Sequence, residues 1–235
     1  MKVSVVVPCY NEEENIQTLV EAIRQVDTHG LDVEFILVDN GSQDKTGELI
    51  DQHVDGFIKK AVVENNIGFG FGIQTGIKAA TGDYIGWIHG DVQVHPTELN
   101  QFFKHIKENP AGGYFLKAHR TCRPKFDLLF TWGQGIVDSA LLHTKLRDIS
   151  AFPCLYPKSV VQGTITDEMP NDFSIDLFAY WTAKQMGYTE IRYDVVVGER
   201  KGGKSSWNSG LKSRIKQSKR IWDASLKIKR GEKVL

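Results

Sequence analysis

Short runs of β-branched and apolar residues alternate with stretches whose apolar positions recur at helical spacing. Lys2-Val-Ser-Val-Val-Val-Pro is β-branched throughout and reads as a strand central in its sheet. Ile16, Leu19, Val20 and Ile23 then form one helical stripe. Asn11, with Glu14 three residues on, has the spacing of a capping box for that helix. Val33 to Val38 predicts a second strand, Thr46 to His53 a helix, and Phe57 to Val63 a third strand. A glycine-rich stretch follows, then a short buried strand from Tyr84 to Ile88 entered through Thr81-Gly82. Strands alternating with helices predict an α/β fold with a mostly parallel sheet.

The second half continues the pattern more loosely. Pro96 starts a helix over Thr97 to Lys107, with Leu99, Phe102, Phe103 and Ile106 inward. Gly113 to Ala118 reads as a strand. Phe126 to His143 reads as a helix that is apolar nearly all round, suited to a lipid, to an interface, or to a core or dimer contact. Asn171 opens a helix running to Met186. Gly210 to Lys229 is a basic helix with Leu211, Ile215, Trp222 and Leu226 in a narrow stripe. Such a stripe fits a membrane-surface helix, or one packed on the domain with a solvated basic face.

Composition narrows the class. The 235 residues are 41% hydrophobic and 25% charged, ordinary for a globular protein with a sizeable core. Cys9, Cys122 and Cys154 are too few and too scattered for a disulfide framework, which favours a reducing compartment. The apolar run at the N-terminus is too short for a signal peptide, and no stretch approaches a membrane span of roughly 20 apolar residues. Net charge is zero, yet Arg200 to Lys233 holds twelve Lys and Arg against two acids. The basic tail predicts an anionic partner, with peripheral membrane contact preferred. No nucleic-acid-binding module is recognisable.

Three stretches carry candidate chemistry. The Tyr84 strand runs out into His89-Gly-Asp-Val-Gln. In extended backbone His89, Asp91 and Gln93 share a side, where imidazole, carboxylate and amide oxygen suit a divalent metal. Equally, Asp91 caps the next turn and His89 is a core histidine. Asp39, at the end of the second strand, suits a base or ribose as well as a simple cap. Gly68, Gly70 and Gly72 look like a phosphate cradle but match neither the dinucleotide fingerprint nor a P-loop. For Gly76, Ala79 and Ala80 close helix packing is the better reading.

Four motifs agree together: Pro8-Cys-Tyr-Asn-Glu, Val38-Asp-Asn-Gly-Ser-Gln-Asp-Lys-Thr, Asn66-Ile-Gly-Phe-Gly and Gly90-Asp-Val-Gln-Val-His-Pro. In order and spacing they resemble the family 2 inverting glycosyltransferases of GT-A fold, most of all dolichyl-phosphate mannose synthases and bacterial polyprenyl-phosphate sugar transferases. The resemblance spans about residues 1 to 205. It implies a single Rossmann-like GT-A domain over 1–209, with a nucleotide-sugar half at 1–110 and an acceptor half at 111–209, then a basic amphipathic helix at 210–235. It implies a UDP- or GDP-sugar donor held by Pro8, Tyr10, Asn11, Glu12, Asp39 and Asn40, with Gly68, Gly70 and Gly90 beside it. It implies Mn²⁺ or Mg²⁺ at Asp91 and Gln93. His89 stands where the family's Asp-x-Asp motif has its first acid, and imidazole suits Mn²⁺ better than Mg²⁺.

The same resemblance extends to the acceptor half. Arg120 and Arg123 are candidates for a donor or acceptor phosphate, with a solvated turn as the alternative. Leu146-Arg-Asp-Ile-Ser-Ala-Phe matches the segment leading into the acceptor region. Asp172 or Asp176 is expected to face the cleft, as general base for a hydroxyl acceptor, unless it serves as a cap. Glu199-Arg-Lys-Gly-Gly-Lys-Ser-Ser-Trp matches a segment that closes over the diphosphate through Arg200 and Lys204. The expected activity is metal-dependent, inverting transfer to polyprenyl phosphate, which needs no base. A growing glycan is the alternative acceptor, and a catalytically silent nucleotide-sugar-binding protein the alternative class. The expected location is cytoplasmic, peripheral at the inner face of the membrane, with homo-oligomerisation left open.

Overall fold

A computed structural model of the chain describes residues 1–121, 125–162, 168–198 and 211–232, with backbone alone at 125–127, 129, 130 and 211–217. The described elements run β1 (Lys2–Cys9), α1 (Ile16–Arg24), β2 (Asp32–Asn40), α2 (Thr46–Asp51), β3 (Ile58–Val63), α3 (Phe69–Ala79) and β4 (Tyr84–Trp87). A 3₁₀ turn (Pro96–Leu99) then leads into α4 (Asn100–Glu108) and β5 (Tyr114–Thr121). The rest is α5 (Lys125–Leu142), β6 (Cys154–Pro157), α6 (Lys158–Val161), α7 (Ile175–Gln185), β7 (Thr189–Val196) and α8 (Leu211–Arg230).

The seven strands form one sheet in the order β3-β2-β1-β4-β6-β5-β7. The pairs β1–β2, β2–β3, β1–β4 and β5–β7 are parallel. β6 is antiparallel to both its neighbours, β4 and β5, so it alone is reversed. The expected strands therefore form where apolar runs predicted them, and the reversed β6 and the edge strand β7 are additions.

β1 is central and covered on both faces, as its unbroken β-branched run requires. Val3, Val5 and Val7 face one core, with Leu19, Ile23, Phe102 and Phe103 from α1 and α4. Val6 faces the other, with Ile73, Ile77, Tyr180 and Ile221 from α3, α7 and α8. Each fully buried aliphatic side chain contributes about 1.5–3 kcal/mol, so the two cores hold the helices to the sheet. Gly76 bears on the same interface. A Cβ there would overlap the Val6 side chain, so glycine lets α3 lie against β1, as its small-residue pattern predicted.

One expected cap is corrected. α1 starts at Ile16, and Asn11 sits in the left-handed region with φ 52°. Its Oδ1 accepts the Gln43 N–H at 2.8 Å, tying two loops together instead of capping a helix.

Candidate active site

Chain order reverses direction across the sheet at β1, since β2 lies on one side and β4 on the other. In open α/β sheets this switch point leaves a crevice beyond the strands' carboxyl ends. The residues after β1, β2 and β4 meet there.

The loops after β1 and β2 are sewn together by side chains bonding backbone. Asn11 N–H donates to Ser42 Oγ at 3.1 Å, Glu12 N–H to Thr46 Oγ1 at 2.8 Å, and Glu13 N–H to Asp44 Oδ2 at 3.2 Å. Asp39 Oδ1 accepts the Ser42 N–H at 3.0 Å, which fixes the tight turn. Tyr10 and Asp39 are half-buried at this edge, while Pro8 is buried within β1. Asn40 lies deeper than expected. It is buried, and its Nδ2 donates to Gly68 O at 3.1 Å, so it tethers the glycine loop.

The β4 exit is a turn and not the extended run expected from sequence. Gly90 and Asp91 turn, and Val92 takes φ 56°. Asp91 Oδ1 accepts the Gln93 N–H at 3.2 Å, so Asp91 also caps its own turn. A Cβ on Gly90 would lie 3.0 Å from Cys9 Sγ and 3.2 Å from Pro8 O, so glycine brings this turn against the end of β1. Cys9 senses what gathers there. Burial pushes its thiol up, and Glu12, Asp39 and Asp91 add to the rise. All three carboxylates thus lie near enough to the end of β1 to act on one thiol.

His89 is half-buried between phenylalanines. Its ring stacks on Phe69 at 5.1 Å and meets Phe152 edge-on at 4.2 Å. Phe69 in turn stacks on Phe173 at 4.5 Å. Sequence reasoning missed this cluster. Its signal was an aromatic residue inside each polar loop: Phe69 among glycines, Phe173 after Asn171-Asp172, and Phe152 before Pro153.

The glycine loop is filled by backbone. A Cβ on Gly68 would overlap Asn171 O, and one on Gly70 would lie 2.6 Å from Asp172 O. Gln74 Nε2 donates to Met169 O, Pro170 O and Asn171 Oδ1 at 3.0–3.1 Å. These glycines admit the 169–172 segment, which packs across the start of α3.

Both candidate bases are engaged elsewhere. Asp172 Oδ1 accepts the Ser174 N–H at 2.9 Å and the Ser174 hydroxyl, the capping alternative. Asp176 does not face the cleft. It is fully buried on α7, where Trp87 Nε1 donates to Oδ1 at 2.9 Å. Burial pushes its carboxyl up to about 6, against the pull of the buried Lys117 ammonium and of Trp87. Lys117 itself donates to Ile149 O at 2.9 Å and Ala151 O at 3.3 Å, pinning the segment that carries Phe152. Arg120 is corrected too. Its guanidinium forks onto Asp148, through Nε at 3.1 and 3.2 Å and through Nη2, so its fork is already occupied by a carboxylate.

Arg123, Arg200 and Lys204 lie outside the described residues. Gly198, the last described residue before that basic stretch, donates its N–H to Gln93 O at 2.8 Å. Gly198 therefore lies beside the turn that carries Asp91 and Gln93.

The mostly parallel sheet with acid-bearing loops at its switch point matches the GT-A glycosyltransferase fold. The chain belongs to Glycosyl transferase family 2, whose pattern it matches over residues 4–151. It is 27% identical over 217 residues to undecaprenyl-phosphate 4-deoxy-4-formamido-L-arabinose transferase of Photorhabdus laumondii, covering 88% of this chain and 63% of that protein. The chain thus spans less than two thirds of such relatives. In fold it is similar to glucosyl-3-phosphoglycerate synthase of Mycobacterium tuberculosis, crystallised with Mn²⁺, UDP-glucose and phosphoglyceric acid (TM-score 0.69, 16% identity, 98% of this chain and 80% of that one). It is also similar to S. aureus TarS 1–349 with UDP-GlcNAc (TM-score 0.60, 18% identity, 97% and 67%).

Proposed function

We propose that the chain moves a sugar from a UDP- or GDP-sugar to polyprenyl phosphate, with inversion at C1 and with the help of Mn²⁺ or Mg²⁺, at the cytoplasmic face of a membrane. The nucleotide would lie over the loops of Tyr10, Asn11, Glu12 and Asp39. Arg200 and Lys204 would close over the diphosphate.

The residues fit a metal. Glu12, Asp39 and Asp91 lie around the end of β1, and a diphosphate brought there adds more negative charge. Among the described residues no three His, Cys, Asp or Glu form a complete ligand set. An ion there would have one or two protein ligands and take the rest from substrate phosphates. Asp91 would be the main ligand, with Gln93 and His89 beside it. When bound, such an ion supplies Lewis-acid stabilisation of the departing diphosphate.

What supports a phosphate acceptor is that Asp176 is fully buried and that Asp172 Oδ1 is taken up by its bonds to Ser174. A sugar hydroxyl must lose a proton, whereas a prenyl phosphate is already anionic. The relative named as an undecaprenyl-phosphate transferase agrees with this choice.

The test is product analysis by mass spectrometry with UDP- and GDP-sugars, a prenyl phosphate, and each metal. Asp172→Asn should keep transfer to prenyl phosphate within about tenfold. A general base would cost about 10²–10⁴ on removal. A loss of that size would overturn the phosphate reading, and nucleotide binding without transfer under either metal would favour a silent protein.

A further inference from the structure

We propose that Lys117 is a positioning residue of the site: from within the core it holds the stretch that ends in Phe152, and so seats the Phe152 ring against His89 and sets the turn that carries Asp91. The proposal rests on the reading of that turn as part of the donor site, and it adds a residue that touches neither reactant.

Lysine is almost never fully buried. Lys117 of β5 is buried completely. Burial pulls its pKa down, so the charge sits there at a cost. An apolar side chain of that length would carry no such cost. What the ammonium adds is its hydrogen bonds. They go to the backbone of a stretch outside the strands, at Ile149 O and Ala151 O. The next N–H along β5, that of Ala118, donates to Pro153 O at 2.9 Å. Two neighbouring residues of β5 thus bracket Phe152.

The rest of the stretch is gripped from other elements. Ser139 Oγ of α5 accepts the Leu146 N–H at 2.8 Å, Arg192 of β7 donates to Arg147 O, and Arg120 forks onto Asp148. Ser150 bonds the buried Asp176 carboxyl of α7. Asp148 is held at φ 43°, in the left-handed region. A residue with a side chain keeps that conformation where its surroundings impose it, and such residues cluster at active sites. What this grip delivers to the site is the Phe152 ring. It meets His89 edge-on at 4.2 Å, and it lies 6.1 Å from Phe69, which is itself stacked on His89. Gly90 and Asp91 follow His89 directly. Packed rings pass on a displacement because a protein interior leaves little slack.

The test reads His89 in the ligand-free protein. Its imidazole lies against the rings of Phe69 and Phe152, whose ring currents shift its carbon-bound proton signals in ¹H–¹³C NMR. His89→Gln identifies those signals by their loss. Lys117→Met should keep the circular dichroism of the wild type and move the His89 signals in the direction that Phe152→Leu moves them. In the transfer assay its kcat should fall about tenfold or more, with donor KM little changed. A folded Lys117→Met with the His89 signals in place would overturn the proposal, since the lysine would then only support the fold. So would displaced signals with an unchanged kcat. If Lys117→Met does not fold, Lys117→Met with Asp176→Asn takes its place, because it removes the buried charges together. Failure of both to fold would also overturn the proposal. If the wild type transfers no sugar, the proposed function falls, and the His89 signals decide whether Lys117 seats that ring.

Discussion

His89→Asp supplies the acid that the resemblance implies for this position, and the structure predicts two opposite effects. The first is a loss. The imidazole stacks on Phe69 and meets the edge of Phe152. Aromatic pairs contribute about 0.5–1.5 kcal/mol each beyond their burial, so two lost contacts cost about 2 kcal/mol. A carboxylate set against phenyl rings, close to Asp91, adds desolvation and repulsion. In a chain of this length 1 kcal/mol moves Tm by about 2–4 °C, so the ligand-free variant should melt about 4–8 °C lower. The second effect is a gain. A further hard oxygen should raise affinity for Mg²⁺ relative to Mn²⁺. Thermal melts of wild type, His89→Asp and His89→Phe, alone and with UDP or GDP plus each metal, separate the two. His89→Phe should keep the ligand-free Tm and lose the wild-type metal preference. An unchanged ligand-free Tm in His89→Asp would refute the packing role. A lower Tm with unaltered metal preference would remove His89 from the ion's surroundings.

The other expectations concern stability. Burial pushes the Asp138 carboxyl up from 3.8 to about 6, against hydrogen bonds from Ser225 and Gln134. A carboxyl whose folded pKa is raised favours the protonated fold, so its contribution is present below 3.8 and lost as pH rises through about 6. Two pKa units correspond to about 3 kcal/mol, so Asp138→Asn should be the more stable protein at pH 8 and flatten the stability profile between pH 4 and 7. Urea denaturation at a series of pH values measures this, and parallel profiles would contradict it. Gly70→Ala should destabilise by about 1–3 kcal/mol, because its methyl meets the backbone of residues 170–172. A neutral result in urea melts would mean the segment can draw back.

Much of the framework could be read from the chain alone, because it rests on local periodicity. The β-branched run at Val3–Val7 and the stripe of Ile16, Leu19, Val20 and Ile23 each state their own burial. The four loop motifs were legible because their residue types are unusual together. What escaped depended on distant partners. Cys154–Pro157 is only four residues long, and nothing in it says that it runs against its neighbours. Val92 at positive φ contradicts valine's own preference and is imposed by the turn around Asp91. Arg120 reads as a phosphate ligand until Asp148, 28 residues on, arrives beside it. Asp176 reads as a base until Trp87 places it in the core.

The reversed strand β6 has a further meaning. It is laced to β4 on one side and to β5 on the other, so the ladder continues without a seam from β3 to β7. Two lobes joined by a hinge can swing shut on their cargo, but a single pleated plate cannot fold without tearing its rungs. Any closing motion is thereby left to the loops above the plate, and the spacing between the two halves of the sheet is built in.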